Sequence, residues 1–232
     1  MSNIESCQFY CLSYNNKEKR NSMKKRFDSL NIKCRFYTGV DPNNDDRFKG
    51  YKLNKIQLRQ WSCTYGHLDI INDFFYNSDK PFAIICEDDI CIHKDIKTLL
   101  HFIISDFNLL RLDILLLSYL LPYRIGSSHI SNGFSYKTTI PEDSSFSYHN
   151  FPNYISGTQM YIITRNYASK LLDKYYDDYA GIRDNAFLSD KVLFGTQNRA
   201  LLYPMLAVEN ENQEDLYHKL CHNIHFIDGV HL

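Results

Sequence analysis

The stretch Phe82-Ala83-Ile84-Ile85-Cys86-Glu87-Asp88-Asp89-Ile90 sets the reading of everything around it. Entered from the turn-forming Asn77-Ser78-Asp79-Lys80-Pro81, it is a compact apolar strand that runs straight into three carboxylates. Adjacent carboxylates repel one another unless something cationic shares them. Carboxylate oxygens are also the ligands that Mg²⁺ and Mn²⁺ prefer. In an extended backbone positions 87 and 89 face one side and Asp88 the other. Glu87 and Asp89 are thereby placed to grip one divalent ion together with the diphosphate of a nucleotide. An acidic turn that caps the following helix is the plainer alternative.

Upstream of this strand, Phe9 to Leu12 reads as a short strand. Lys17 to Leu30 reads as a helix with Met23, Phe27 and Leu30 on one face. Phe36 to Val40 is a second strand closed by Asp41-Pro42, and Asn43 to Asn54 is polar and loop-like. Leu68, Ile71 and Phe75 mark a helix that ends near Asn77.

Downstream, Ile96, Leu99, Leu100 and Ile103 mark a helix, and Ile114 to Leu117 and Met160 to Ile163 are strands. Ala168, Leu171, Leu172 and Tyr175 line another helix, Asp184 to Phe194 reads as helical, and Leu201 to Pro204 closes the series. Pro122 to Tyr154 shows no period, which predicts a lid, a binding loop or an ordered insertion. Strands alternating with helices predict an α/β fold with a mainly parallel central sheet. The expectation is a single domain over residues 1–232 with a lid insertion around 122–155. Ligands in such sheets sit beyond the carboxyl ends of the strands.

Charge balance removes whole classes of partner. The 232 residues carry 26 Lys and Arg against 27 Asp and Glu, so no basic footprint for nucleic acid exists. Hydrophobic residues at 44% and charged residues at 23% are globular proportions. The seven cysteines contain no C-x-x-C pair and read as reduced thiols. Ile114 to Leu121, broken by Ser118, is far too short for a membrane span, and Met1 to Gln8 lacks a signal-peptide layout. A soluble, cytoplasmic protein is expected. The 18 Tyr and 15 Phe, with many Asn, Lys and Ile, point to AT-rich coding and to no chemistry.

The order and spacing of these segments resemble glycosyltransferase family 25, which contains lipooligosaccharide galactosyltransferases and collagen hydroxylysine galactosyltransferases. Cys11-Leu12-Ser13-Tyr14 and Lys19-Arg20 occupy the layout of the family's opening strand, Asn-Leu and downstream Asp-Arg, with Ser13 and Tyr14 departing from the usual residues. Val40-Asp41 matches the Val-Asp that ends the second strand. Ser62-Cys63-Thr64-Tyr65-Gly66-His67 echoes Gly-Cys-x-x-Ser-His with Gly and Ser exchanged, and Glu87-Asp88-Asp89 follows intact. Leu112-Asp113, Gly157-Thr158, Ala168-Ser169-Lys170-Leu171-Leu172 and Asp184-Asn185-Ala186-Phe187-Leu188 ahead of Tyr203-Pro204 extend the likeness over roughly residues 8–210. The resemblance implies a GT-A-type fold, a UDP-sugar donor carrying galactose or glucose, Mn²⁺ (or Mg²⁺), inversion at the anomeric carbon, and a glycan or hydroxylysine-type acceptor.

On that footing Glu87 and Asp89 are the metal ligands, and Ser13, Tyr14 and Asp88 join the donor-binding set. Arg20, with Lys17, sits at a helix start where a diphosphate wants cations, or on a solvated basic face. His67 reaches the nucleotide or is a satisfied structural histidine, and Asp41 contacts the ribose or simply holds its turn. Trp61 stacks on a ligand or belongs to the core. An inverting transfer needs a carboxylate to take the acceptor proton. Asp184 is the first candidate, with an N-cap role competing, and Asp190 is the substitute. His218, His222 and His225 form a helical row, and a late histidine such as His222 is implied as a third metal ligand. Two rivals stand beside this reading. One is a catalytically silent nucleotide- or carbohydrate-binding relative, and the other is a metal-dependent phosphohydrolase.

Overall fold

The structure is a computed structural model and describes residues 3–122, 135–137, 146–151, 155–175, 187–210, 216–226 and 230. A 3-10 turn at Asn3–Ser6 leads into β1 (Cys7–Ser13), α1 (Lys17–Ser29), β2 (Cys34–Thr38), a second 3-10 turn at Asp46–Phe48 and α2 (Lys55–Asn77). There follow β3 (Phe82–Glu87), β4 (Ile90–Ile92), α3 (Ile96–Leu109), β5 (Ile114–Leu120), β6 (Ser135–Lys137) and β7 (Ser147–His149). The chain continues through β8 (Ser156–Thr164), α4 (Arg165–Tyr175), α5 (Ser189–Leu193), β9 (Arg199–Tyr203), β10 (Ala207–Glu209) and α6 (Leu216–His225).

Eight strands form one sheet in the order β2-β1-β3-β8-β5-β9-β7-β6. The pairs β1–β2, β1–β3 and β5–β9 are parallel, whereas β3–β8, β5–β8, β7–β9 and β6–β7 are antiparallel. The expected mainly parallel sheet is therefore a mixed one. The cause lies in the connection from β5 to β8, which passes through β6 and β7 and contains no crossover helix among the described residues. A strand that returns without a crossover runs antiparallel, and β8 does so between β3 and β5. Part of the expected lid is thus sheet edge, with Tyr148 fully buried and its hydroxyl donating to Asp106 Oδ2 at 3.1 Å. Residues 123–134, 138–145 and 152–154 of that insertion lie outside the described residues.

Both faces of the sheet are covered, as its strands require. Successive side chains alternate, so Phe9, Cys11, Ile84 and Ile162 pack with α1 and α3, while Tyr10, Leu12, Ile85 and Tyr161 pack with α2, α4 and α5. Burial of both strand faces explains the nearly continuous apolar runs in the sequence. Asn15 takes a left-handed conformation (φ 49°), which Asn tolerates, and turns the chain from β1 toward α1. Asn16 caps that helix by accepting the Lys19 amide at 3.0 Å. A capping box between Asn54 and Gln57 starts α2 two turns or more ahead of the apolar face that the sequence advertises. No cysteine is joined in a disulfide, and no described helix is long and apolar enough to cross a membrane.

Candidate active site

The parallel trio β2-β1-β3 decides where a ligand can sit. Leu12 lies opposite Glu87 and Ser13 opposite Thr38, so the carboxyl ends of three strands open at one place. A cleft of about 530 Å³ lies there, lined among others by Tyr14, Lys19, Arg59, Cys63 and the triplet Glu87, Asp88 and Asp89. β3 ends at Glu87, and Asp88 and Asp89 form the turn into β4. The extended alternation expected through all three residues therefore stops after the first. Asn210 donates its backbone N–H to the Asp89 carbonyl at 2.8 Å, and the β4–β10 ladder holds the turn from behind.

Each carboxylate has its own partners. Glu87 Oε1 accepts the Thr158 hydroxyl at 2.8 Å and meets His67 Nε2 at 3.4 Å. Burial alone would raise its carboxyl, but His67 and Thr158 bring it below the usual value. Asp88 Oδ2 accepts the Ser13 hydroxyl at 2.6 Å, and burial still leaves its carboxyl raised. Asp89 Oδ2 pairs with Lys19 Nζ at 3.1 Å, yet burial and the nearby Glu87 charge keep its carboxyl raised as well. Burial is the larger cause of both shifts, and repulsion between the neighbouring carboxylates adds to it. An all-oxygen, electron-rich turn of this kind fits a hard divalent cation.

The wall opposite the triplet is one stripe of α2. Lys55, Arg59, Cys63 and His67 recur every four residues, which places them on one helix face. His67 is fully buried, and its Nδ1 meets the Tyr161 hydroxyl at 3.1 Å, so the ring is fixed on both sides and aims Nε2 at Glu87. Cys63, His67 and Glu87 bring ligand atoms within 4.8 Å of one another, a group that could hold a metal ion. Burial pushes the Cys63 thiol far above its ordinary value. A neutral thiol is a poor ligand for Mg²⁺ or Mn²⁺.

Beyond Thr158 stands a further carboxylate. Thr158 Oγ1 and Ser189 Oγ lie 3.1 Å apart, and Asp190, in the first turn of α5, accepts the Gly157 amide at 3.0 Å. Burial, reinforced by the Glu87 charge, pushes the Asp190 carboxyl up to about 6.

The sequence profile of glycosyltransferase family 25, described as an LPS biosynthesis protein family, matches residues 7–185 and so takes in α1, α2 and the whole acidic turn. The chain belongs to glycosyltransferase family 25. Among solved structures, this family 25 enzyme is similar to a glycosyltransferase involved in the glycosylation of the major capsid of PBCV-1, with 7% identity and a TM-score of 0.49. That similarity covers 95% of this chain and 100% of the other. No curated protein matches the sequence.

In the family 25 enzyme the candidates named from sequence divide into three groups. Glu87, Asp88, Asp89 and Tyr14 line the cleft. Ser13 and His67 are buried behind it and act on it through Asp88 and Glu87. Arg20 and Trp61 are engaged elsewhere, whereas Asp41 holds a turn at the edge of the cleft, between the lining residues Val40 and Pro42. Arg20 donates to the Phe36 carbonyl at 3.3 Å and lies over the Phe36 ring, pinning α1 to β2. Asp41 accepts from the Asn43 amide at 3.0 Å and from Asn44 Nδ2 at 2.6 Å, the bonds of a turn residue. Trp61 is buried against Phe48, Tyr65 and Phe187. Of the C-terminal row, His218 meets Glu209 Oε2 at 2.6 Å and His225 meets the Leu121 carbonyl at 3.1 Å. Asp184 and the His222 side chain lie outside the described residues.

Sequence reasoning did not name Lys55 or Arg59, and it named Lys19 and Cys63 only within motif matches, with no role of their own. The step-of-four stripe after the Asn54 and Gln57 capping signature was the available signal for Lys55, Arg59 and Cys63.

Proposed function

We propose that this family 25 enzyme transfers a hexose, galactose or glucose, from a UDP-sugar to a hydroxyl of a glycan or hydroxylysine-type acceptor. Transfer would proceed with inversion in a GT-A-type arrangement. The observation that carries the reading is the acidic turn at the carboxyl end of β3, which lines a cleft rimmed by Lys19, Lys55 and Arg59. A sugar nucleotide needs cations for its diphosphate, and these three side chains supply them from two helices. Tyr14, 47% exposed at the rim beside Gly39, offers a flat apolar surface for a base or a sugar.

Glu87 and Asp89, with Asp88 beside them, would hold Mn²⁺ or Mg²⁺, which when bound supplies Lewis-acid neutralisation of the diphosphate leaving group. His67 and Thr158 keep Glu87 ionised and aimed, and Ser13 does the same for Asp88 by orientation. Asp190 is the proton acceptor we favour for the attacking hydroxyl. A carboxyl near 6 is ionised at neutral pH yet basic enough to take a proton. Its charge is felt by Cys63, in the wall of the cleft, and Glu87 and His67 act on it in turn.

Titrating UDP into the protein, with Mn²⁺ and then with EDTA, tests the donor site. Affinity should be at least about tenfold tighter with the metal, and the two ligands together should raise the melting temperature by more than the sum of each alone. Equal UDP affinity in EDTA would overturn metal-assisted donor binding.

A further inference from the structure

Lys19 brings a cation to the acidic turn. Its Nζ lies 3.1 Å from Asp89 Oδ2, while the hydroxyls of Ser13 and Thr158 and the His67 imidazole meet Asp88 and Glu87. The placement is built by the fold. Asn16 accepts the Lys19 amide and fixes the start of α1, so the lysine stem leaves the first helical turn toward the end of β3. Lys17, two residues earlier, is exposed and lines no part of the cleft.

The contact is also weak by construction. The Lys19 side chain is 44% exposed, and Nζ makes a single bond to a carboxylate that is itself 19% exposed. Pairs of this kind favour the closed geometry by about two- to fivefold. A divalent ion on Asp89 outbids one such ammonium, and the flexible stem lets the displaced group swing into the same cleft.

We infer that Lys19 is an exchangeable counter-ion that couples metal to donor. Without a divalent ion its ammonium covers Asp89. When the ion arrives, Lys19 gives up that carboxylate and moves onto the donor diphosphate, beside Lys55 and Arg59. Metal binding then frees a cation for the donor, and donor binding gives the freed cation a partner. Coupling of this sort is reciprocal by linkage. The inference rests on the donor site proposed above, and its test separates the two.

The experiment is calorimetric titration of Mn²⁺ alone, and of UDP with and without Mn²⁺, into wild type, Lys19→Met, Lys19→Arg and Lys17→Met. Lys19→Met should bind Mn²⁺ alone about two- to fivefold tighter than wild type, because no ammonium competes. The ratio of UDP affinities with and without Mn²⁺ should fall in that variant by a similar factor. Lys19→Arg should keep the wild-type ratio, and Lys17→Met, which removes the same charge from the same helix, should match wild type in both titrations. Coupled binding in wild type that Lys19→Met leaves unchanged, or a Lys17→Met effect as large as that of Lys19→Met, would overturn the role of Lys19 while the donor site stands. A wild-type protein that binds neither Mn²⁺ nor UDP would overturn the donor site itself.

Discussion

The Asp190 carboxylate holds the Gly157 amide at 3.0 Å and so ties the first turn of α5 to the start of β8. Structure and the proposed proton-accepting role make opposite demands on this group. Burial lifts its carboxyl well above the ordinary aspartate range, to about 6, so ionisation opposes folding. The stability it contributes is fully present below about pH 4 and is lost as pH rises through about 6.

Asp190→Asn keeps the acceptor oxygen for Gly157 and removes that loss. The variant should be more stable than wild type by about 1–3 kcal/mol at pH 8, a gain of roughly 2–12 °C in melting temperature, and nearly unchanged at pH 4. Its kcat should nevertheless fall by about 10²–10⁴, the usual cost of losing a general base. In wild type, kcat should drop tenfold per unit of pH below about 6. Calorimetric melts at the two pH values and a pH–rate profile check both halves. A variant that keeps its turnover would leave Asp190 a purely structural clamp.

His67 is the second buried group with two tasks, since it bridges Tyr161 and Glu87. His67→Leu takes a partner from the buried Tyr161 hydroxyl and leaves Glu87 with the Thr158 hydroxyl, and an unsatisfied buried polar group costs about 1–3 kcal/mol. Urea denaturation should register that loss. Mn²⁺-dependent UDP binding should weaken by about tenfold, because Glu87 loses one of the two side chains that favour its ionised form. His67→Gln, which retains a donor at similar reach, should recover part of each. Unchanged binding in a destabilised Leu variant would confine His67 to packing.

Gly157 adopts φ +113°, and a Cβ there would lie 2.8 Å from the Leu120 backbone nitrogen and 2.1 Å from Gln159 Oε1. The side chain could move aside, but the strand backbone cannot. Gly157→Ala should therefore cost about 2 kcal/mol or more, read as a lower urea midpoint with an unchanged slope. A variant as stable as wild type would mean that β8 starts elsewhere.

How much of this was legible in the sequence differs from element to element. Strands buried on both faces, such as Phe82 to Cys86, announce themselves by continuous apolar character. The acidic turn did so by its charge. The direction of β8 was not legible, because it depends on a route through residues 122–155 that carries no helical or strand period. α2 was read only from Leu68 onward. Its first turns give one side to the cleft and the other to aromatic packing, which masks the apolar period. Gly66 shows the limit of motif matching. A Cβ there would stand 2.9 Å from Leu12 Cδ1, so the glycine that departs from the family pattern sits where the Leu12 side chain of β1 packs tightly on α2. The local bonds of Arg20 to Phe36 and of Asp41 to Asn43 and Asn44 depend on turn and side-chain geometry that residue type does not reveal.

The central claim is that the Asp89 carboxylate serves donor chemistry at the end of β3. Its most direct test is UDP release from UDP-galactose and UDP-glucose, with Mn²⁺ present, by wild type and Asp89→Asn. Wild type should turn over at least one donor, and the variant should lose about 10²–10⁴ in kcat/KM while melting within a few degrees of wild type. Equal rates in the folded variant would contradict the account.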